Sequence, residues 1–183
     1  MNDPFHRLDS TLTQVWQRLA RGVQDRRATT RNPTLATSGP DGPEVRTVVL
    51  RSADAQDKTL EIHTDRRAAK VTALTKDPRA ALHVWDAKAN LQIRLRCIAT
   101  LTHADPTAWS KIPETAQRVY GGTPAPADEI LTPEAHDPTP NREDFTIITL
   151  HIKEIETLYL GRDLHRRARF LPDQNWQGSW IAP

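Results

Sequence analysis

The apolar residues of the chain form short clusters, and their spacing predicts three helices. Near the N-terminus the spacing is three or four positions, which predicts an amphipathic helix over residues 5–21. Its apolar face would consist of Phe5, Leu8, Leu12, Val15, Trp16 and Leu19. A second helix is expected over residues 66–76, with Asp65 as its N-cap. A third is expected over residues 105–120, with a buried face of Trp109, Ile112, Val119 and Tyr120.

Between and after these helices, apolar and polar residues alternate or form short Val- and Ile-rich runs, which are typical of strands. The expected total is six to eight strands. Seven of them are predicted at residues 34–38, 44–51, 59–64, 80–85, 91–101, 146–152 and 155–160. The helices lie between hairpins rather than after every strand. This order favours a mainly β fold with flanking helices (α+β), an antiparallel barrel, over a parallel doubly wound sheet.

Length and composition indicate one domain spanning residues 1–183, with an N-terminal helix over 1–21 and a loop over 121–142 that is rich in proline. No run approaches the roughly 18 apolar residues of a membrane helix. The N-terminus lacks an apolar signal region. These features lead us to expect a cytoplasmic protein without membrane contact. Cys97 is the only cysteine and is expected to be a small buried apolar residue. No histidines are spaced like a pair of metal ligands, so no metal site is expected.

Common nucleotide-binding motifs are absent from the sequence. It contains no Walker A loop and no G-x-G-x-x-G fingerprint, so a bound phosphate would have to meet side-chain cations or a helix N-terminus. The segment H-T-D-R-R-A-A-K supplies both, through Thr64 at the helix start and Lys70 within it. Taken alone, this segment also fits a solvated basic helix surface. Arg46 could likewise be an ordinary surface arginine, and Gln92 a buried amide with a purely structural hydrogen bond.

Four segments in order resemble the pyridoxamine 5′-phosphate oxidase-like FMN-binding split barrels. They are R-T-V-V-L-R from Arg46, H-T-D-R-R-A-A-K from His63, W-D-A-K-A-N-L-Q-I from Trp85, and the Trp-containing C-terminal segment that ends in I-A-P. The resemblance extends from Pro33 to Pro183. It implies an antiparallel split β-barrel and FMN as the cofactor. It also implies a homodimer in which both chains contact each flavin at the subunit interface.

Position by position, the resemblance implies FMN contacts from two parts of the chain. The first part comprises Arg46, Thr47, Val48, Val49, Arg51, His63, Thr64 and Lys70, with Lys70 on the phosphate. The second comprises Gln92, Tyr159 and Arg169, with Tyr159 where the family has a tryptophan. No residue stands out as a catalytic acid, base or nucleophile, so the catalytic residues stay unknown.

The departures from the family pattern concern the substrate more than the flavin. Arg51 stands where the family usually has a lysine at the end of the first strand. Ala69 stands where the family has an arginine before the lysine that binds the phosphate. The family's R-L-H-D-R motif appears as H-R-R-A-R from His165. We therefore expect a flavin-dependent oxidoreductase acting on an unidentified small molecule rather than pyridoxamine 5′-phosphate oxidase proper. The cofactor could also be a deazaflavin, because the phosphate contacts would look alike.

Two other classes of function stay open at this point. One is a non-catalytic FMN- or haem-type binding or sensing module. The other is an RNA-contacting domain that uses the arginines of the first helix and linker, namely Arg18, Arg21, Arg26, Arg27 and Arg31. The net charge of +2 is too small to favour nucleic acid by itself. Salt dependence of binding would distinguish this class.

Overall fold

The computed structural model describes residues 3–183 and shows four α-helices and nine antiparallel strands. The helices are α1 (Leu8–Gln24), α2 (Ala69–Lys76), α3 (Pro106–Ser110) and α4 (Glu114–Gln117). The strands are β1 (Thr34–Gly39), β2 (Gly42–Thr47), β3 (Leu50–Asp54), β4 (Thr59–Asp65), β5 (Arg79–Asp86), β6 (Leu91–His103), β7 (Phe145–Leu160), β8 (His165–Phe170) and β9 (Ser179–Ile181). The predicted antiparallel α+β class is confirmed.

The sheet is a split barrel. Its strand order is β2-β1-β5-β6-β7-β4-β3, and β8 pairs with the second half of β7 and with β9. The two edge strands β2 and β3 are joined by only Val48 and Val49, a link that spans about 10 Å at most. The opposite edges of the sheet must therefore curl toward each other, although no strand pairing within residues 3–183 closes them. The Val48 N–H donates to the Pro33 carbonyl over 2.9 Å at this crossing.

The main core lies inside the curled sheet and under α1. Its most deeply buried members are leucines and isoleucines from six strands, together with Val15 and Leu19 of α1 and Phe170 of β8. Cys97 is buried in this core, as predicted, and burial raises the pKa of its thiol to about 12. A second cluster of Tyr120, Phe145 and Ile147, with Trp109 and Ile112 beside it, covers one end of the barrel.

Several predicted boundaries are wrong, each for a local reason. The strand expected over 44–51 is divided into β2 and β3 where the chain changes edges. The two strands expected after residue 145 are one strand, β7, with a bulge at Lys153. The helix expected over 105–120 is split into α3 and α4 around Pro113, which cannot continue a helix. Val119, expected on its buried face, is 64% exposed.

The helix predicted from residue 66 begins instead at Ala69, and Asp65 does not cap it. The Asp65 carboxylate accepts hydrogen bonds from the Arg67 guanidinium, at 2.7 and 3.0 Å, and from the Gly121 N–H at 2.9 Å. These contacts hold residues 65–68 in a turn. The first predicted helix is also shifted, because Phe5 lies before the start of α1 although it is buried as expected. Among residues 3–183, no helix has the length and apolar character needed to cross a bilayer.

Candidate functional site

A group of cations lies where β1, β2, β4 and α2 meet, at the crossing between the sheet edges. Arg46 is the last residue but one of β2, and its Nη1 donates to the Thr37 hydroxyl of β1 over 2.6 Å. Its Nη2 forms an ion pair with Glu44, two residues earlier on the same strand. Because residues two apart on a strand share a face, the Glu44 carboxylate is placed to neutralise Arg46.

Lys70 lies in the first turn of α2 and points back to the end of β4. Its Nζ donates to the Thr64 hydroxyl over 3.0 Å; Thr64 is buried and Lys70 is half-buried. Burial lowers the pKa of Lys70, the nearby Arg46 lowers it further, and Asp65 acts in the opposite direction. Two cations close together in a partly dry site need an anion to stabilise them both. A phosphate group has the right charge and geometry.

Arg51 of β3, His63 of β4 and Tyr120, which follows α4, lie near one another. His63 packs edge-on against the Phe145 ring, with centroids 5.0 Å apart. Burial, followed by the positive charge of Arg51, lowers the pKa of His63 to about 4, so the imidazole is neutral at pH 7. Burial raises the pKa of Tyr120, against the opposing charge of Arg51. Arg51 therefore lies near His63 and Tyr120, and among residues 3–183 no carboxylate forms an ion pair with it.

Val48 and Val49 form the crossing, whereas Thr47 is the last residue of β2 and pairs with Thr34. Thr47 is exposed, Val48 is buried and Val49 is half-buried. The Val48 N–H already donates to Pro33, so it is not free to pair with a ligand. The expected continuous strand is therefore interrupted at Val48, whose N–H is engaged. Thr47, Val48 and Val49 stay predicted flavin contacts.

Gln92 and Arg169 belong to a second group on a different part of the sheet. Gln92 pairs in register with Leu158, and Arg169 pairs with Glu156. Since Glu156 and Leu158 are two residues apart on β7, the side chains of Gln92 and Arg169 share one face of the sheet. Glu156 is 8% exposed.

Glu156 is the centre of an ion-pair cluster in this second group. It accepts hydrogen bonds from Arg94 at 3.0 Å and from Arg167 at 2.9 Å. One carboxylate thus lies among three arginines, the two that it binds and its register partner Arg169. The face keeps an excess of positive charge beside Gln92.

Tyr159 does not join Gln92 and Arg169. It pairs with Leu91 and Arg166 in register, which places it on the opposite face of the sheet. Its ring stacks on Phe5, with centroids 4.5 Å apart, and the Arg166 guanidinium lies over it at 5.6 Å. The structure therefore separates Tyr159 from the other two predicted contacts of the second group.

The two groups are far apart within one chain. Thr64 pairs with Thr146 near the start of β7, whereas Gln92 pairs with Leu158 near its end. These positions are twelve residues apart, about 40 Å along an extended strand. A single small ligand cannot contact both groups of the same chain.

Sequence analysis missed several residues that shape these groups: Thr37, Glu44, Tyr120, Phe145 and Glu156. Glu44 had a usable signal, because it precedes Arg46 by two positions on a strand. Tyr120 was predicted only as a buried residue of the third helix, and Phe145 lay just outside a predicted strand. Glu156 gave no signal, because its role depends on three arginines from β6 and β8 that come together only through strand pairing.

Comparison with known proteins identifies the family. Residues 13–103, about half of the chain, match the sequence model of the pyridoxamine 5′-phosphate oxidase FMN-binding domain. This segment contains every predicted contact of the first group and Gln92. The chain belongs to the pyridoxamine 5′-phosphate oxidase-related FMN-binding family. FMN is its cofactor. Among curated protein sequences, none shows significant similarity to the chain.

Solved structures agree on the fold. A pyridoxamine 5′-phosphate oxidase-related FMN-binding protein from Nostoc punctiforme superposes with a TM-score of 0.76 at 22% identity, covering 93% of this chain and 96% of that one. PhzG from Burkholderia lata, in complex with tetrahydrophenazine-1-carboxylic acid, gives 0.74 at 21% identity, with 94% and 92% covered. General stress protein 26 from Bacillus anthracis gives 0.52 at 16% identity, with 80% and 99% covered. These likenesses show the split-barrel fold of the chain.

The residues present fit FMN. Among residues 3–183, four buried side-chain N–H groups have no acceptor, and they belong to Trp16, Arg51, Arg167 and Arg169. Arg51 and Arg169 are predicted flavin contacts, and a buried donor without an acceptor costs about 1–3 kcal/mol. Phosphate oxygens and the carbonyl and nitrogen edge of a flavin ring are acceptors. Within the same residues, no cluster of three or more metal-ligating side chains occurs.

Proposed function

We propose that this protein is a homodimeric FMN-dependent oxidoreductase acting on a small organic molecule. The observation that carries the proposal is the separation of the two groups along β7. The cation group has donors that suit the FMN phosphate, and Gln92 and Arg169 have donors that suit the edge of the ring. One chain cannot bring both groups to the same FMN. A two-fold partner supplies the missing group, so that the cation group of one chain and the Gln92–Arg169 face of the other enclose each FMN.

In this arrangement each side chain has a limited task. Lys70 and Arg46 bind the phosphate, and Arg46 exchanges its ion pair with Glu44 for the new anion. Gln92 and Arg169 donate to the polar edge of the ring. When bound, the isoalloxazine supplies two-electron transfer. The positive charge of Arg169 and its neighbours stabilises negative charge that develops on the ring edge.

His63 contributes as a neutral imidazole. With a pKa of about 4 it carries no charge at pH 7, so it does not add to the positive field around the phosphate. It can still accept or donate one hydrogen bond. We assign no catalytic acid or base.

The substrate is proposed only by class. The chain differs from the family pattern at Arg51, at Ala69 and in the H-R-R-A-R segment. These differences argue against pyridoxamine 5′-phosphate as the substrate. PhzG holds tetrahydrophenazine-1-carboxylic acid on the same fold. Reduced heteroaromatic acids are therefore the first compounds to screen. The RNA-contacting alternative loses support because three of its five arginines are engaged: Arg18 with Asp86, Arg21 with Asp25, and Arg31 with backbone carbonyls.

An absorption spectrum of the purified protein tests the proposal first. The two bands of oxidised flavin should persist through gel filtration at the elution volume of a dimer, with FMN added beforehand if the protein is colourless. The bound flavin should then be bleached anaerobically by a reduced heteroaromatic acid and restored by an acceptor such as oxygen. Stable FMN binding without reduction by any compound would favour the binding or sensing alternative. An FMN-bearing monomer would refute the shared site.

A further inference from the structure

A cavity of the chain lies away from the cation group. It has a volume of about 810 Å³ and opens between the residues before α1, the side of α1, the turn at residues 27–30 and the β5–β6 turn. Neither Arg46, Thr64 nor Lys70 lines it. Its volume falls within the range of small-molecule sites, about 300–1,000 Å³. Of the predicted flavin contacts, only Tyr159 reaches it.

One side of the cavity is a column of stacked side chains. Arg18 lies over the Phe5 ring at 5.6 Å, Phe5 stacks on Tyr159, and Arg166 covers the far face of Tyr159. Both ends of the column are fixed, because Arg18 pairs with Asp86 at 3.1 Å and Arg166 with Asp3 at 2.6 Å. The aromatic faces are thus occupied, and Tyr159 can offer a ligand only its edge and hydroxyl.

The charge of the cavity is unbalanced. Four cations line it, Arg18, Arg21, Arg27 and Lys88, against two carboxylates, Asp3 and Asp86. Both carboxylates are already neutralised by the arginines at the ends of the column. Within residues 3–183, the side chains of Arg27 and Lys88 have no hydrogen-bond or ion-pair partner, and the same holds for the lining residues Thr29 and Asn90. The groups left for a ligand are therefore mainly donors, two of them charged.

We propose that this cavity is a second binding site, which takes a small organic anion carrying a carboxylate or a phosphate. Arg27 and Lys88 bind the oxyanion from the rim, and Asn90 and Thr29 supply further hydrogen bonds. The rest of the molecule lies against the edge of the Phe5–Tyr159 stack. Arginine and lysine both favour oxyanions with several acceptor oxygens. The site is separate from the cation group of the same chain, because neither Arg46, Thr64 nor Lys70 lines the cavity.

Calorimetric titration of the FMN-loaded protein tests this site. The probes are benzoate and phenyl phosphate, which separate carboxylate from phosphate recognition, and inorganic phosphate, which lacks the ring. We expect one site per chain for at least one of the aromatic probes. The double variant R27A/K88A should weaken its binding at least tenfold and leave the visible flavin spectrum unchanged. The matched control R26A/K111A removes the same charge from exposed positions outside the cavity and should retain wild-type affinity.

Three results would overturn the proposal. Equal weakening by R27A/K88A and R26A/K111A would mean that the probes respond to net charge alone. Binding to the FMN-free protein that disappears on loading with FMN would place the anion in the flavin site. The third result is that none of the three probes shows saturable binding to the FMN-loaded protein. The cavity would then lack the stated ligand. FMN content, measured on each variant, separates these results from a failure of the flavin site itself.

Discussion

The ammonium of Lys70 donates a hydrogen bond to the hydroxyl of Thr64 over 3.0 Å, and this contact ties the first turn of α2 to the end of β4. It holds the lysine where burial and Arg46 both disfavour its charge. A cation kept in such a position gains from any anion that arrives. The Lys70–Thr64 contact therefore positions a cation for phosphate binding, although burial and Arg46 disfavour its charge.

Replacement of Lys70 by methionine should weaken FMN binding by about 10- to 100-fold, since a hydrogen bond to a charged group contributes about 1.5–3 kcal/mol. The quenching of FMN fluorescence on titration with protein measures the dissociation constant. K76M is the matched control, because Lys76 lies at the exposed end of the same helix. Equal affinity of K70M and K76M would remove Lys70 from the phosphate site.

Mixed dimers should show that each flavin site is shared between chains. K70M damages the first group and R169A the second, so each homodimer is expected to bind FMN poorly. In a heterodimer of K70M with R169A, one site contains both changes and the other contains neither. Dimers assembled from differently tagged chains should therefore recover about half of the wild-type FMN content.

The control for this experiment is a heterodimer of K70M chains carrying the same two tags, which should stay as poor as the K70M homodimer. If each site belonged to one chain, every site of the mixed dimer would carry one damaged group. Recovery in the K70M–R169A heterodimer would then be absent, and the shared-site proposal would be wrong.

The fold class and several site residues could be predicted because their signals are local. Strand alternation gave β4, β5 and β6 to within one or two residues. Thr64 and Lys70, six residues apart, were predicted to meet at a helix start and do so. Arg46 approaches the same point from another strand, which the resemblance implied and the sequence pattern alone did not.

The rest depends on strand pairing, which has no local signal. Val48 and Val49 have strong β propensity, so nothing in their own sequence shows that they cross between sheet edges. Tyr159 was grouped with Arg169 by aligned position, yet register puts their side chains on opposite faces. The sequence around Asp65 is typical of an N-cap. In the structure, however, its carboxylate accepts hydrogen bonds from Arg67 and from the N–H of Gly121, 56 residues away.

Cys97 should be inert in the folded protein. It is 3% exposed, and burial raises the pKa of its thiol to about 12, so almost no thiolate forms at pH 8. A colorimetric disulfide reagent should react with less than a tenth of the thiol in buffer and with all of it in urea. Rapid reaction without denaturant would show that β6 opens locally and that the thiol is accessible.

His63 should make the protein less stable in mild acid. Its pKa is about 4 in the folded state against 6.5 for the ordinary imidazole, so below pH 6.5 the unfolded chain takes up a proton that the folded chain does not. The free energy of unfolding therefore rises with pH between about 4 and 6.5, by at most about 1.4 kcal/mol per pH unit and about 3 kcal/mol in total. The lowered pKa values of Asp65 and Asp77 act only at lower pH, where those carboxylates become protonated.

Urea unfolding of the FMN-free protein at pH 7 and pH 5, at one fixed chain concentration, isolates this contribution from ligand binding and from dimer dissociation. The wild type should lose more stability between these pH values than H63F, because phenylalanine keeps the edge-on packing against Phe145 and has no proton to bind. H165Q removes a histidine from the exposed start of β8 and controls for the loss of one imidazole. If H63F and the wild type lose the same stability on acidification, His63 is protonated in the folded protein, and the neutral imidazole that we place beside the phosphate group does not exist at pH 5.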